Sequence, residues 1–173
     1  MSQVPVWFER KFEFTFPVDQ HPNLCARLRG TPARLEELVR GAPREAMIAK
    51  AGQKWSAQEH TGHLLDLESL WMERVQDYLA GRDQLTAADL SNRRTDEARH
   101  NEHALEEILG RFRSARLRLV RHVEENDRAQ LGRAMLHPRL QQPMRLVDHL
   151  YFAAEHDDHH LACMWQLLNK ARG

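Results

Sequence analysis

The stretch Trp55-Ser56-Ala57-Gln58-Glu59-His60-Thr61-Gly62-His63-Leu64 reads as the sharp start of a helix. Ser56 is a good N-cap, because its hydroxyl can accept from an N–H three residues on. Glu59 sits where its carboxylate can reach back to the cap, which completes a capping box. Trp55 occupies the staple position before the cap. Beyond it, Leu64, Leu67, Leu70, Trp71, Val75 and Tyr78 recur at helical spacing and carry one apolar stripe as far as Gly81. A helix of this kind needs other apolar faces to bury against.

Three further segments supply them. From Asn23 to Arg40, Leu24, Leu28, Leu35 and Leu38 form a second stripe, interrupted by Gly30 and Pro32 and ended by Gly41 and Pro43. From about Asp96 to Asn126, Leu105, Ile108, Phe112, Ala115, Leu119 and Val123 mark a third. From about Met144 to Ala171, Leu146, Leu150, Ala153, Leu161, Trp165 and Leu168 mark a fourth. The polar stretches at 81–95 and 127–143 read as loops. Four long amphipathic helices predict an all-α four-helix bundle, in up-down-up-down order unless the 81–95 connection crosses the bundle. The expected organisation is an arm at residues 1–22 and one bundle domain at 23–173. Within the arm, Phe12, Phe14 and Phe16 alternate with polar residues, a period-2 pattern that reads as extended chain. Its aromatic surface has to lie against the domain itself or a partner subunit.

Composition bounds the function. The chain has 173 residues, with 25 Lys+Arg against 25 Asp+Glu. Zero net charge disfavours nucleic acid and anionic membrane surfaces as partners. The arginines from Arg111 to Arg121 are flanked by glutamates and read as a solvated face. Two distant cysteines, Cys25 and Cys163, make no disulfide framework, so a reducing, cytoplasmic setting is expected. No secretory signal or membrane-spanning run is legible.

Chemistry is legible in the histidines. His156 and His160 are four apart in Glu155-His156-Asp157-Asp158-His159-His160, so both imidazoles leave one face of the last helix. That is the spacing of paired metal-ligating histidines. His63, beside Leu64 and Leu67, is the best third ligand, and His60 is set aside as its neighbour. Three histidines with an open fourth position would suit a catalytic divalent metal better than a structural one. Glu59 and Asp66, a turn either side of His63, could orient its ring, although the capping box claims Glu59 first. His159 and His149 could lie near the site without ligating. Asp157, Asp158, His100 and His103 read as solvated, His21 and His137 as loop residues, and Cys163 as a core residue. No residue is singled out as a catalytic base.

Two motifs together carry a resemblance: Trp55-Ser56-x-x-Glu59-x-x-x-His63-Leu64-x-x-x-Glu68 and, about ninety residues later, Glu155-His156-Asp157-Asp158-His159-His160-Leu161-Ala162. The chain from about residue 23 to 170 resembles the DinB-like, DNA-damage-inducible superfamily, which includes the YfiT-type metal-dependent hydrolases. The resemblance implies a four-helix bundle, commonly dimeric, with zinc or nickel held at one end by His63, His156 and His160. Characterised relatives are bacillithiol S-transferases and mycothiol-dependent isomerases, so a low-molecular-weight thiol is an implied cofactor and a small molecule the implied substrate. The resulting expectation is a metal-dependent thiol S-transferase or hydrolase. The alternative is a non-catalytic metal-binding, stress-response bundle. A purely structural bundle would instead leave the three histidines more than about 6 Å apart, beyond the reach of metal–nitrogen bonds.

Overall fold

Ser56 caps its helix as its sequence demands: its hydroxyl accepts from the Glu59 N–H, and the Glu59 carboxylate accepts from the Ser56 N–H at 2.8 Å. The computed structural model of the protein describes residues 3–170. It contains α1 (His21–Val39), α2 (Arg44–Ile48), α3 (Ala57–Asp66), α4 (Glu68–Ala80), α5 (Arg93–Glu97), α6 (Leu105–Glu124), α7 (Arg128–Gly132), strands β1 (Ala134–His137) and β2 (Gln142–Arg145), and α8 (Leu146–Lys170). The expected end of the last helix at Ala171 lies outside the described residues. α1 runs unbroken through Gly30 and Pro32. α3 and α4 are separated only at Leu67, which keeps helical dihedrals, so they act as one bundle helix. Gly81 ends it in the left-handed region, at φ 67°.

The four bundle helices are α1, α3–α4, α6 and α8. Their directions follow from two apolar clusters at opposite ends. One cluster takes Leu24 and Leu28 of α1, Val75 and Tyr78 of α4, Leu119 and Val123 of α6, and Leu150 and Ala154 of α8. The other takes Leu35 and Val39, Leu64, Phe112, and Met164 and Leu168. Thus α1 and α8 run one way, and α3–α4 and α6 run the other. The order is up-down-down-up, not the up-down-up-down order expected from the sequence. The reason is the 81–104 connection, which is long enough to return the chain along the whole bundle before α6 begins.

Two segments depart from their sequence reading. The third long helix starts at Leu105 rather than near Asp96. Arg99 takes a left-handed conformation at φ 46°, and His100–Glu102 form a single 3-10 turn. Contacts to α3 impose this: the Gln58 side-chain amide donates to the carbonyls of His100 and His103, and the Ser56 hydroxyl donates to Asn101. The 127–143 stretch is not simply loop. It holds α7, with an Asp127–Gln130 capping box, and an antiparallel hairpin pairing Ala134 with Arg145.

The described part of the aromatic arm is extended apart from 3-10 turns at Trp7–Glu9 and Val18–Gln20, after which α1 begins at His21, and its alternate residues Phe12, Phe14 and Phe16 face inward. Among the described residues it pairs with no strand. Side chains of the hairpin hold it instead: Gln142 and Arg145 donate to the carbonyls of Phe12 and Phe16. Trp7 and Phe12 pack on Phe152 of α8, with ring centroids 5.2 and 5.0 Å away. Among the described residues no helix is long and apolar enough to cross a membrane.

The buried face of α8 also carries charge. Asp157, expected to be solvated, is fully buried and pairs with the equally buried Arg116 of α6; Arg116 also grips Glu68. Thr31 of α1 donates to the same Asp157 carboxylate at 2.8 Å. One arginine of the α6 row therefore points into the bundle, because the row winds round the helix and Arg116 shares the face of Phe112 and Leu119. Asp158 is outside and pairs with Arg27 and Arg34.

Candidate metal centre

His63 of α3 and His156 and His160 of α8 converge. Their ring centroids are 4.3–5.3 Å apart, and one ring nitrogen from each lies within 4.8 Å of the others. All three are buried. The separation that a merely structural bundle requires is absent. The Nε2 atoms of His156 and His160 are 3.0 Å apart. Nitrogens bound to one tetrahedral ion at 2.0–2.1 Å stand about 3.3 Å apart, so the cluster needs little adjustment.

The rest of each ring is set by neighbours. His63 Nδ1 is 3.0 Å from Thr95 Oγ1, and the Thr95 hydroxyl donates to Asp66 Oδ2 at 2.9 Å. That direction leaves the Thr95 oxygen to accept, so His63 carries its proton on Nδ1 and turns the lone pair of Nε2 inward. His160 Nδ1 is 2.8 Å from His60 Nδ1. If His160 presents Nε2 to an ion, it donates from Nδ1 to His60. The same Asp66 oxygen is 2.8 Å from His100 Nε2.

Burial keeps these rings neutral. Desolvation lowers His63 to about 3 and His60 to about 4, and holds His156 and His160 well below their ordinary value. Aromatic rings supply the dry wall. Trp55 lies 4.6 Å from His63, and Trp7 and Trp71 lie 5.0 and 5.6 Å from His156. Three neutral, buried imidazoles form a donor set suited to a divalent transition metal.

The other expected residues divide. Asp66 reaches His63 through Thr95. Glu59 is engaged by Ser56 and by Lys50, 2.9 Å away, and makes no hydrogen bond to the three histidines. His159 lies against Trp7, with Nε2 3.7 Å from Cys163 Sγ. His149 is fully buried two turns before His156, with Trp71 between them. His100, expected to be solvated, is buried against α3, and His137, expected in a loop, is buried in β1.

Sequence reasoning missed Thr95 and underrated His60. Thr95 comes from a segment far along the chain, and no local signal marks it. For His60, its place three residues before His63, on the same helix face, is a usable signal. A shallow cavity of about 190 Å³ borders this centre, lined by His63, Asp66, Leu70, Glu73, Arg94 and Thr95.

Residues 27–164, most of the chain, match the DinB superfamily. The chain belongs to the DinB superfamily. Its structure is similar to that of YfiT from Bacillus subtilis, described as a probable metal-dependent hydrolase with an unusual four-helix bundle topology. The TM-score is 0.81, over 94% of each chain at 18% sequence identity. At that identity the likeness establishes the fold alone. No curated protein matches the sequence. Within this DinB-superfamily bundle the three-histidine cluster draws on one helix of each direction, α3 and α8, so the fold itself holds the three rings together.

Proposed function

We propose that this DinB-superfamily chain holds a divalent metal, zinc or nickel, through Nε2 of His63, His156 and His160, and uses it in catalysis on a small molecule. The observation that carries the reading is the convergence of three neutral, buried imidazoles whose remaining nitrogens are partly pre-assigned, to Thr95 for His63 and to His60 for His160. A divalent ion at such a site supplies Lewis acidity and lowers the pKa of a bound water or thiol. The chain's own residues do the rest. Asp66 and Thr95 fix the His63 tautomer, His60 fixes that of His160, and Trp7, Trp55 and Trp71 keep bulk water from the imidazoles.

Two chemistries suit an open fourth position: hydrolysis, in line with the description of YfiT, and transfer of a low-molecular-weight thiol, in line with the family resemblance. A homodimer in a cytoplasmic setting belongs to the same reading.

The test is metal content. Protein purified without a histidine tag, stripped with chelator and reconstituted with zinc or nickel, is expected to hold one equivalent by elemental analysis. His63→Ala is expected to lose it. Failure of the wild type to bind metal, or full retention by His63→Ala, sinks the reading. Assaying the loaded protein on ester and amide substrates, and separately on thiols with electrophiles, then separates hydrolase from transferase.

A further inference from the structure

Behind the metal centre, buried nitrogen donors outnumber their acceptors. Trp71 Nε1, Arg139 Nη2, both ring nitrogens of His149 and Nδ1 of His156 are buried and, among the described residues, have no well-formed hydrogen bond. They lie in one neighbourhood. The Trp71 ring is 5.5 Å from His149 and 5.6 Å from His156. The Arg139 guanidinium is 5.7 Å from the Phe152 ring, one turn before His156, and 6.0 Å from Trp7. Arg74, 2% exposed, is 5.6 Å from the Trp71 ring. The Trp71 backbone carbonyl stands near one His149 ring nitrogen as a weak acceptor, outside good hydrogen-bond geometry, and leaves the other nitrogen without a partner.

His137 makes the imbalance explicit. Its Nδ1 accepts from the Leu140 N–H at 3.1 Å, so a neutral ring carries its proton on Nε2. That Nε2 faces Arg74 Nη1 at 3.2 Å, donor against donor. Burial, with Arg74 and Arg139 nearby, lowers His137 to about 3, which excludes a second proton but leaves the mismatch. Among the described residues neither Arg74 nor Arg139 has a carboxylate within ion-pairing distance, and the acceptor found for Arg74 is the Thr86 carbonyl. The nearby Asp77 is engaged by Thr86 and Arg82. Two guanidiniums, two histidines and an indole therefore share one interior region in which, among the described residues, no carboxylate hydrogen-bonds to them, and Asp77 acts on Arg74 only through its charge. A group that only accepts hydrogen bonds would satisfy the free N–H groups of Arg74, Arg139, Trp71 and His137 and the one N–H that a neutral His149 carries.

We propose that this region is a binding site for the oxyanion of a small molecule, a carboxylate or a phosphate, held by Arg74 and Arg139 with Trp71 Nε1, His137 and His149 completing its hydrogen bonds. Guanidinium forks match such planar or tetrahedral oxyanions, and burial makes charge-assisted bonds to them strong. The Trp71 ring stands between this site and His156. A bound anion is therefore the charged end of a substrate whose reactive group lies at the metal centre. That last assignment rests on the metal-dependent reading; the binding of the anion does not.

The experiment is a titration of the full chain with acetate and, separately, inorganic phosphate, with chloride as the control for ionic strength. It is run on zinc-reconstituted and on metal-stripped protein. The readout is the indole N–H resonance of Trp71, assigned through Trp71→Phe. A saturable shift from acetate or phosphate but not chloride supports the site, and the ion that binds identifies the anion class. Arg139→Gln is expected to weaken it by about tenfold or more, the loss of one charge-assisted hydrogen bond. Because Arg139 is only partly buried, that variant serves where a change at Arg74 impairs folding. No saturable shift from either anion means that water alone satisfies these donors and overturns the proposal, as does a shift unchanged in Arg139→Gln. Anion binding without zinc binding removes the substrate assignment and leaves the site. Zinc binding without anion binding removes the site and leaves the metal reading.

Discussion

The His100 imidazole fills the space that a side chain at Gly62 would occupy: a Cβ built there would lie 2.1 Å from His100 Cγ and 2.2 Å from Cδ2. Glycine inside a helix ordinarily costs about 0.5–1 kcal/mol relative to alanine, so Gly62→Ala would normally stabilise α3. Here the sign reverses. The methyl group must expel a buried ring that bonds Asp66, and overpacking of this kind costs about 1–3 kcal/mol. The expected result is a melting temperature lower by several degrees, read by circular dichroism. A melting temperature at or above that of the wild type would show that His100 is not held against α3.

Thr95 connects Asp66 to a ring proposed to bind metal. Thr95→Val keeps the shape and removes the hydroxyl, leaving His63 Nδ1 without its acceptor while Asp66 keeps His100. Loss of such an orienting partner typically lowers metal affinity about 10–100-fold. A competition titration with a zinc chelator measures it. Thr95→Ser is expected to restore most of the affinity. Equal affinity in wild type and Thr95→Val would mean that the Thr95 contact does not orient the ligand.

How much of this was legible depends on how local each signal is. Ser56 and Glu59 cap a helix with residues three apart, and His156 and His160 share a face because four residues make about one turn. Both patterns survive any tertiary arrangement. The metal cluster needed one step more, the pairing of α3 with α8, and the family resemblance supplied it. Thr95, His100 and Arg116 could not be read the same way. Their burial depends on where the 81–104 connection returns and on which side of α6 meets Asp157, and both are set by packing far away in the chain. The bundle order was missed for the same reason, since helix periodicity carries no direction.

Arg116 should be the most costly single charge to remove. It is fully buried between Asp157 and Glu68, and those two carboxylates raise its pKa against the desolvation that lowers it. Arg116→Met leaves two buried carboxyls without a counter-charge, a loss of about 3–5 kcal/mol. Replacing the group as a whole, with Arg116→Met, Asp157→Leu and Glu68→Met together, should cost much less than the single change, because no charge is stranded. Urea denaturation of the two variants makes the comparison. A triple variant less stable than Arg116→Met would show that the network contributes more than the mutual neutralisation of its charges.

Acid should unfold the metal-free protein early. His60, His63, His149, His156 and His160 are all lowered by burial, to about 4 and about 3 for the first two and well below the ordinary value for the rest. Below pH 6.5 the unfolded chain protonates these rings and the folded chain does not, so the unfolded state binds more protons and stability falls as pH falls. Each such group contributes up to about 1.4 kcal/mol per pH unit once its unfolded form is charged. Five together remove, over one to two pH units, as much as the whole stability of an ordinary domain, about 5–15 kcal/mol. The expected midpoint is therefore about pH 5. Zinc should move it lower by favouring the folded, neutral rings until protons displace the metal. His149→Phe removes one proton from the balance, and the slope of unfolding free energy against pH, from urea titrations between pH 7 and 5, should fall by about 1 kcal/mol per unit on average, approaching about 1.4 at the acid end. Stability that stays flat over that range would show that these histidines are charged in the folded protein, which is incompatible with three imidazoles presenting lone pairs to a metal.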